Sequence, residues 1–111
     1  MPPKQKKMQQ QLRQLAGVAY EREMSAATQA LLEDFHRWEK KEMDVFKMNE
    51  KIHAFHHGIS RELYVRYTGM NAAFAVASAL LRGILRREEV GDDVYSSVEG
   101  LVMALSSSEP E

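Results

Sequence analysis

The segment EKIHAFHHG, from Glu50 to Gly58, holds three of the chain's four histidines behind a glutamate. Imidazole is the commonest metal ligand, and helical neighbours at i, i+3 and i+4 share a face, so this spacing raises coordination chemistry first. Glu50 and His53 form a Glu-x-x-His pair, and Glu33 and His36 form another. Two such pairs on facing helices are part of the ligand set of a di-iron carboxylate bundle. With a turn centred near residue 43, Glu33 comes level with His53 and His36 with Glu50, as a dinuclear site requires.

Azimuth argues the other way. At about 100° per residue, the apolar stripe of the second helix is centred between Ile52 and Ile59. Glu50 falls almost opposite that stripe, His57 nearly so, and His53 well to one side. Glu33 and His36 also point away from Leu31, Phe35 and Trp38. No inward glutamate is available in the body of the third helix, and the fourth offers only Glu99 on its polar side. The expectation is therefore no metal centre and no cofactor, with the histidines as solvated surface groups.

His56 differs, because it lies at the edge of the apolar stripe, where a half-buried imidazole donating to a backbone carbonyl or hydroxyl is expected. Asn49, His53, His56, Ser60, Tyr64 and Tyr67 make an uncharged polar shoulder along the same flank. Hydrogen-bonding groups beside an apolar seam suit a ligand groove or a specific helix interface. Arg66 falls inside the stripe and needs an anionic partner. Glu62, one turn earlier, is the nearest; an anion site shared with Arg82 or Arg86 is the other option. Catalytic residues are not expected: there is no glycine-rich phosphate loop, nucleophile elbow or His-Glu-x-x-His. Glu39-x-x-Glu42 and Glu89-x-x-Asp92 are carboxylate pairs of the kind that hold magnesium in all-helical nucleotide pyrophosphatases, but the second pair falls in an expected loop.

The elements that must position these groups are helices, since proline occurs only at positions 2, 3 and 110. A first helix is expected over Gln9 to Lys41, with Met24, Thr28, Leu31, Phe35 and Trp38 on one stripe. Asp44 is a candidate N-cap for a second, whose stripe runs Val45, Met48, Ile52, Phe55, Ile59, Leu63, Tyr67 and Met70. Gly69 suits a left-handed stop and Asn71 the next cap. A third helix over Ala72 to Arg87 is apolar over most of its circumference and belongs at the centre. A fourth runs from Asp93 to Leu105. The fold class is all-α: a four-helix bundle or helical-hairpin array with a long N-terminal helix.

At 111 residues the chain is one domain, with a basic disordered arm over 1–8, a helical domain over 9–105 and a disordered tail over 106–111. Cysteine is absent, which excludes thiolate sites and suits a reducing, cytoplasmic setting. The longest uncharged run, Tyr67 to Leu81, is 15 residues, short of the roughly 20 that span a bilayer. Four basic residues precede residue 14 and seven acidic ones follow residue 87, so the near-zero net charge hides opposite-signed ends. Nucleic acid is not an expected partner, because no aromatic-studded basic stripe accompanies the arm.

IHAFHHGISRELYVRY (Ile52 to Tyr67), followed by ALLRGILRREEV (Ala79 to Val90), resembles a group of short bacterial all-helical proteins with an Ile-His-x-Phe-His core and a later Arg-Gly-Ile-Leu then Glu-Glu-Val segment. No activity attaches to that group. The resemblance directs attention to His53, His56, Arg61, Glu62 and Tyr64. Two functional readings follow. The first is a non-enzymatic, cytoplasmic protein-protein interaction module that self-associates as a dimer, motivated by abundant apolar faces and the lack of a catalytic set. The alternative is a ligand- or metal-binding helical protein, an enzyme among the options, using a groove of His53, His56, Tyr64 and Arg66.

Overall fold

The structure is a computed structural model that describes residues 3–108, and among these every regular element is helical. Helix α1 spans Pro3–Glu39. At 1.5 Å per residue its 37 residues reach about 55 Å, close to the 57 Å long axis of the molecule. The disordered arm expected over 1–8 is thus helical from Pro3 onward. Proline is accommodated in a first turn, and the Lys, Gln and Met that follow are good helix formers. Met8 packs against the core. Residues 1–2 and 109–111, the ends of the expected arm and tail, lie outside the described residues.

Helix α1 stops without a glycine. Lys41 adopts φ 63°, its N–H reaches the Trp38 carbonyl at 3.0 Å, and the Glu42 N–H reaches the Arg37 carbonyl at 2.9 Å. This pair of reversed bonds is a Schellman motif with a lysine in the left-handed position. Asp44 then caps α2 (Val45–Ala54), accepting the Lys47 N–H at 2.8 Å. A π-helical turn, Phe55–Ser60, and α3, Arg61–Gly69, continue the same rod back along α1. Gly69 is not left-handed; it is the last residue of α3, and the chain leaves through an extended Met70 at φ −102°, ψ 143°.

Asn71 caps α4 (Ala72–Leu81) by accepting the Phe74 N–H at 2.8 Å. The third helix was expected to reach Arg87, but Gly83 ends it six residues earlier. Its φ of 78° sets up a second Schellman motif, with Ile84 N–H on the Ala79 carbonyl at 2.9 Å and Gly83 N–H on the Leu80 carbonyl at 3.2 Å. A short α5 (Arg87–Val90) and α6 (Asp92–Ser108) follow, so α6 covers part of the expected tail.

Helix α4 lies between α1 and α6. Its Val76, Ala77 and Ala79 meet Leu12 and Ala19 of α1, Leu85, and Val94 and Val98 of α6 in one cluster. Alanines on α4 let the three helices approach closely. That cluster holds only the half of α1 nearest its N-terminus. The far end of the α1/α2 hairpin buries Met43 and Met48 and leaves Leu32, Trp38, Val45, Phe46 and Ile52 exposed. The molecule is therefore a helical-hairpin array rather than a closed bundle. Its radius of gyration is 17.6 Å, against about 13 Å for a compact chain of this length.

Candidate functional site

The π-turn is the feature on which the expected site geometry depends. A turn of i→i+5 bonds inserts a residue into the helical repeat and displaces the side chains within it, yet the expected stripe resumes downstream, where Arg66, Tyr67 and Met70 are half-buried. Leu63 remains in contact with the interior and is buried, whereas Ile52 and Ile59, taken as the centre of the apolar stripe, are each 38% exposed. Arg66 and Tyr67, both expected on the stripe, face α1.

There they meet Glu23, whose side chain is only 12% exposed. Tyr67 Oη donates to Glu23 Oε2 and Arg82 Nη1 to Glu23 Oε1. Arg66 Nη1 stands 3.4 Å from Oε1. Arg82 also donates from Nε to Ser78 Oγ at 3.2 Å. Burial alone would push the Glu23 carboxyl up, but the hydrogen bonds from Arg82 and Tyr67 and the two guanidinium charges outweigh it and hold the group below its ordinary value. Burial and the same carboxylate push the Tyr67 phenol up. One carboxylate thus ties α1, α3 and α4 together. Arg66 does not pair with Glu62, and the anion it shares with Arg82 is supplied by the protein itself.

A second clamp ties α1 to the segment that follows α4. Arg22 grips Glu89 through both terminal nitrogens, at 2.7 and 2.8 Å, and donates to the Ile84 carbonyl at 2.9 Å. Glu89 also accepts the Arg86 N–H at 2.8 Å, capping α5. Arg22, and then that amide, hold the Glu89 carboxyl at about 2. The Glu89-x-x-Asp92 pair is consequently divided, since Asp92 accepts from Arg87 at 3.0 Å.

The Glu-x-x-His pairs do not assemble. His36 Nδ1 lies 3.2 Å from Glu39, and Glu50 lies 3.3 Å from Lys47. Among the described residues no three His, Asp or Glu side chains converge in a coordinating geometry. His53 stacks on His57 at 6.0 Å, and His56 and His57 meet edge to face at 4.9 Å. His56 is exposed and has no bond to a carbonyl, contrary to expectation.

The structure does bring part of the expected set together. His56, Arg61 and Tyr64 line a groove of ≈ 410 Å³ with His57, Ser60 and, from α1, Tyr20. His53 and Glu62 are exposed outside that lining, and Arg66 faces Glu23. Tyr20 was missing from the expected set; it is held by a parallel stack on Tyr67, 5.0 Å between centroids. Only its position on the inner side of α1, level with Tyr67 in an antiparallel hairpin, could have indicated it. A separate apolar groove at the hairpin tip is lined by Phe35, Trp38, Val45, Met48, Asn49 and Ile52.

No protein-family model matches the chain, and neither a curated relative nor a solved structure is significantly similar to it.

Proposed function

We propose that this chain is a non-catalytic, self-associating helical interaction module of the bacterial cytoplasm, and that two copies pair through the tips of their α1/α2 hairpins. The observation that carries this reading is the surface. The accessible area is 7974 Å², whereas a compact monomer of 12.7 kDa exposes about 6,200 Å². The difference, about 1,700 Å² per chain, is within the range that one subunit of an obligate homodimer buries.

The apolar groups concentrate where the core is absent. Phe46 is 80% exposed, Val45 54%, Leu32 44% and Trp38 40%. Burying each such side chain is worth about 1.5–3 kcal/mol when fully desolvated, so a few of them suffice to hold a pair. An isologous contact lays the same tip on its copy, which satisfies both chains with one surface. Among the described residues no helix is long and apolar enough to cross a membrane.

Trp38 is the only tryptophan, so its emission reads the tip directly. Sedimentation equilibrium and Trp38 fluorescence across a dilution series are expected to show a dimer with blue-shifted emission that dissociates to a monomer with red-shifted emission. Phe46→Asp is expected to leave the helical signal intact and to hold the chain monomeric at all concentrations. A monodisperse monomer at high micromolar concentration, or a dimer indifferent to Phe46→Asp, would refute the proposed pairing.

A further inference from the structure

We infer that the groove beside the π-turn is a binding site for an oxyanion, phosphate or carboxylate, carried on a small molecule with a planar ring. The inference rests on which groups converge there and on what they lack. Arg61 supplies a guanidinium fork, His56 and His57 each supply at least one ring N–H, and Ser60, Tyr20 and Tyr64 supply hydroxyls. No carboxylate lines the groove.

Among the described residues, none of these six side chains has an ion-pair or hydrogen-bond partner within the protein. Five of the other seven arginines differ in this respect. Arg22, Arg37, Arg66, Arg82 and Arg87 each hold an acidic side chain. Arg13, Arg61 and Arg86 hold none, and of these three only Arg61 stands in a concavity with five further donors. A lone solvated arginine needs no such company; a bidentate oxyanion does.

The volume, ≈ 410 Å³, is in the range of small-molecule sites, roughly 300–1,000 Å³. Part of the lining is fixed in advance. Tyr20 is stacked on Tyr67, and Tyr67 is anchored by Glu23, so one aromatic wall is rigid before any ligand arrives. The phenol rings of Tyr20 and Tyr64 give a planar group apolar surface to lie against. The π-turn contributes His56, His57 and Ser60, and such turns recur at functional sites.

This groove shares no residue with the hairpin tip, so the site stands or falls independently of the dimer. The test is a histidine-ring and tyrosine-ring NMR titration of the full chain with phenyl phosphate, benzoate, inorganic phosphate and phenyltrimethylammonium. Phenyl phosphate or benzoate at low millimolar concentration is expected to move His56, His57 and Tyr64 while leaving His36, at the far end of α1, in place. Which of the two binds more tightly identifies the anion.

Arg61→Gln, an exposed residue with no partner to lose, is expected to weaken that binding about tenfold, the loss of one charge-assisted pair. Three results would overturn the inference: no movement at His56 and His57, equal binding of the quaternary ammonium, or unchanged affinity in Arg61→Gln. Inorganic phosphate binding as tightly as phenyl phosphate would remove the planar ring from the ligand class.

Discussion

Replacing Glu23 tests whether the fold is pinned where the structure places its strongest polar contacts. The carboxylate accepts hydrogen bonds from Tyr67 and Arg82 and lies near Arg66. Bonds to charged groups contribute about 1.5–3 kcal/mol each, and removing one partner strands the rest. The stranded guanidiniums are 30% and 31% exposed, so water recovers part of that loss. Taking the two close bonds at the lower end gives about 3 kcal/mol for Glu23→Ala.

For a domain of this size that corresponds to a fall in Tm of roughly 12 °C. Glu23→Gln keeps the volume and one acceptor and is expected to lose about 2 kcal/mol. Arg66→Ala, which removes only a contact at 3.4 Å, is expected to cost under about 1 kcal/mol. Urea and thermal denaturation by circular dichroism at pH 7, at one fixed protomer concentration, measure these variants together with Arg82→Ala. A loss below about 0.5 kcal/mol for Glu23→Gln, or equal losses for Arg66→Ala and Arg82→Ala, would show that this carboxylate is not a clamp.

Two further outcomes follow from particular residues. The folded Glu89 carboxyl lies at about 2, below its ordinary 4.5, so the unfolded chain binds its proton first as pH falls. Its stabilising contribution is complete above about pH 5 and is lost between there and about pH 2, and Glu23, also lowered, loses its own contribution in the same direction. Urea midpoints from pH 6 to pH 2.5 should therefore fall less steeply in Glu89→Gln than in the parent, and parallel curves would contradict the Arg22 clamp. Lys41→Gly relieves a left-handed lysine at φ 63° and is expected to stabilise by about 0.5–1 kcal/mol; a lower Tm in that variant would mean that the turn after α1 is not held as described.

The helices were legible where a local rule operates within a few residues. Asp44 and Asn71 cap α2 and α4 as their types suggest, and the near-uniform apolarity of Ala72 to Leu81 correctly places α4 at the centre. Gly83 was harder to read, because a glycine in an apolar run is compatible with either a continuing helix or a stop. The π-turn leaves no periodic signature, since it adds a single residue to the repeat. The stripe counted across it still holds downstream, where Leu63 is buried and Arg66, Tyr67 and Met70 are half-buried; Arg66 was paired with Glu62 because that carboxylate is one turn away in sequence, whereas Glu23, 43 residues away, is reached only through tertiary pairing. His56, Arg61 and Tyr64 survived as a group because they lie on the rod at or after the turn and keep their mutual spacing. Tyr20 joined them only through tertiary pairing.

The distribution of polar clamps and apolar exposure has one physical logic. Both clamps, Glu23 with Arg82 and Tyr67 and Arg22 with Glu89, act on the stretch of α1 that already faces α4 and its neighbours. They fix the register of α1 against α3, α4 and α5 at the boundary of the apolar cluster. Beyond Glu23, α1 continues for another 16 residues, to Glu39, with only α2 and the π-turn to cover it. Two helices cannot enclose a core between them, because each presents one stripe and leaves its flanks open. Trp38, Val45 and Phe46 are the consequence: apolar groups placed on an arm too thin to bury them. A third and fourth helix would complete that layer, and under the proposed pairing a second copy of the same hairpin would supply both at once with matching length and matching chemistry.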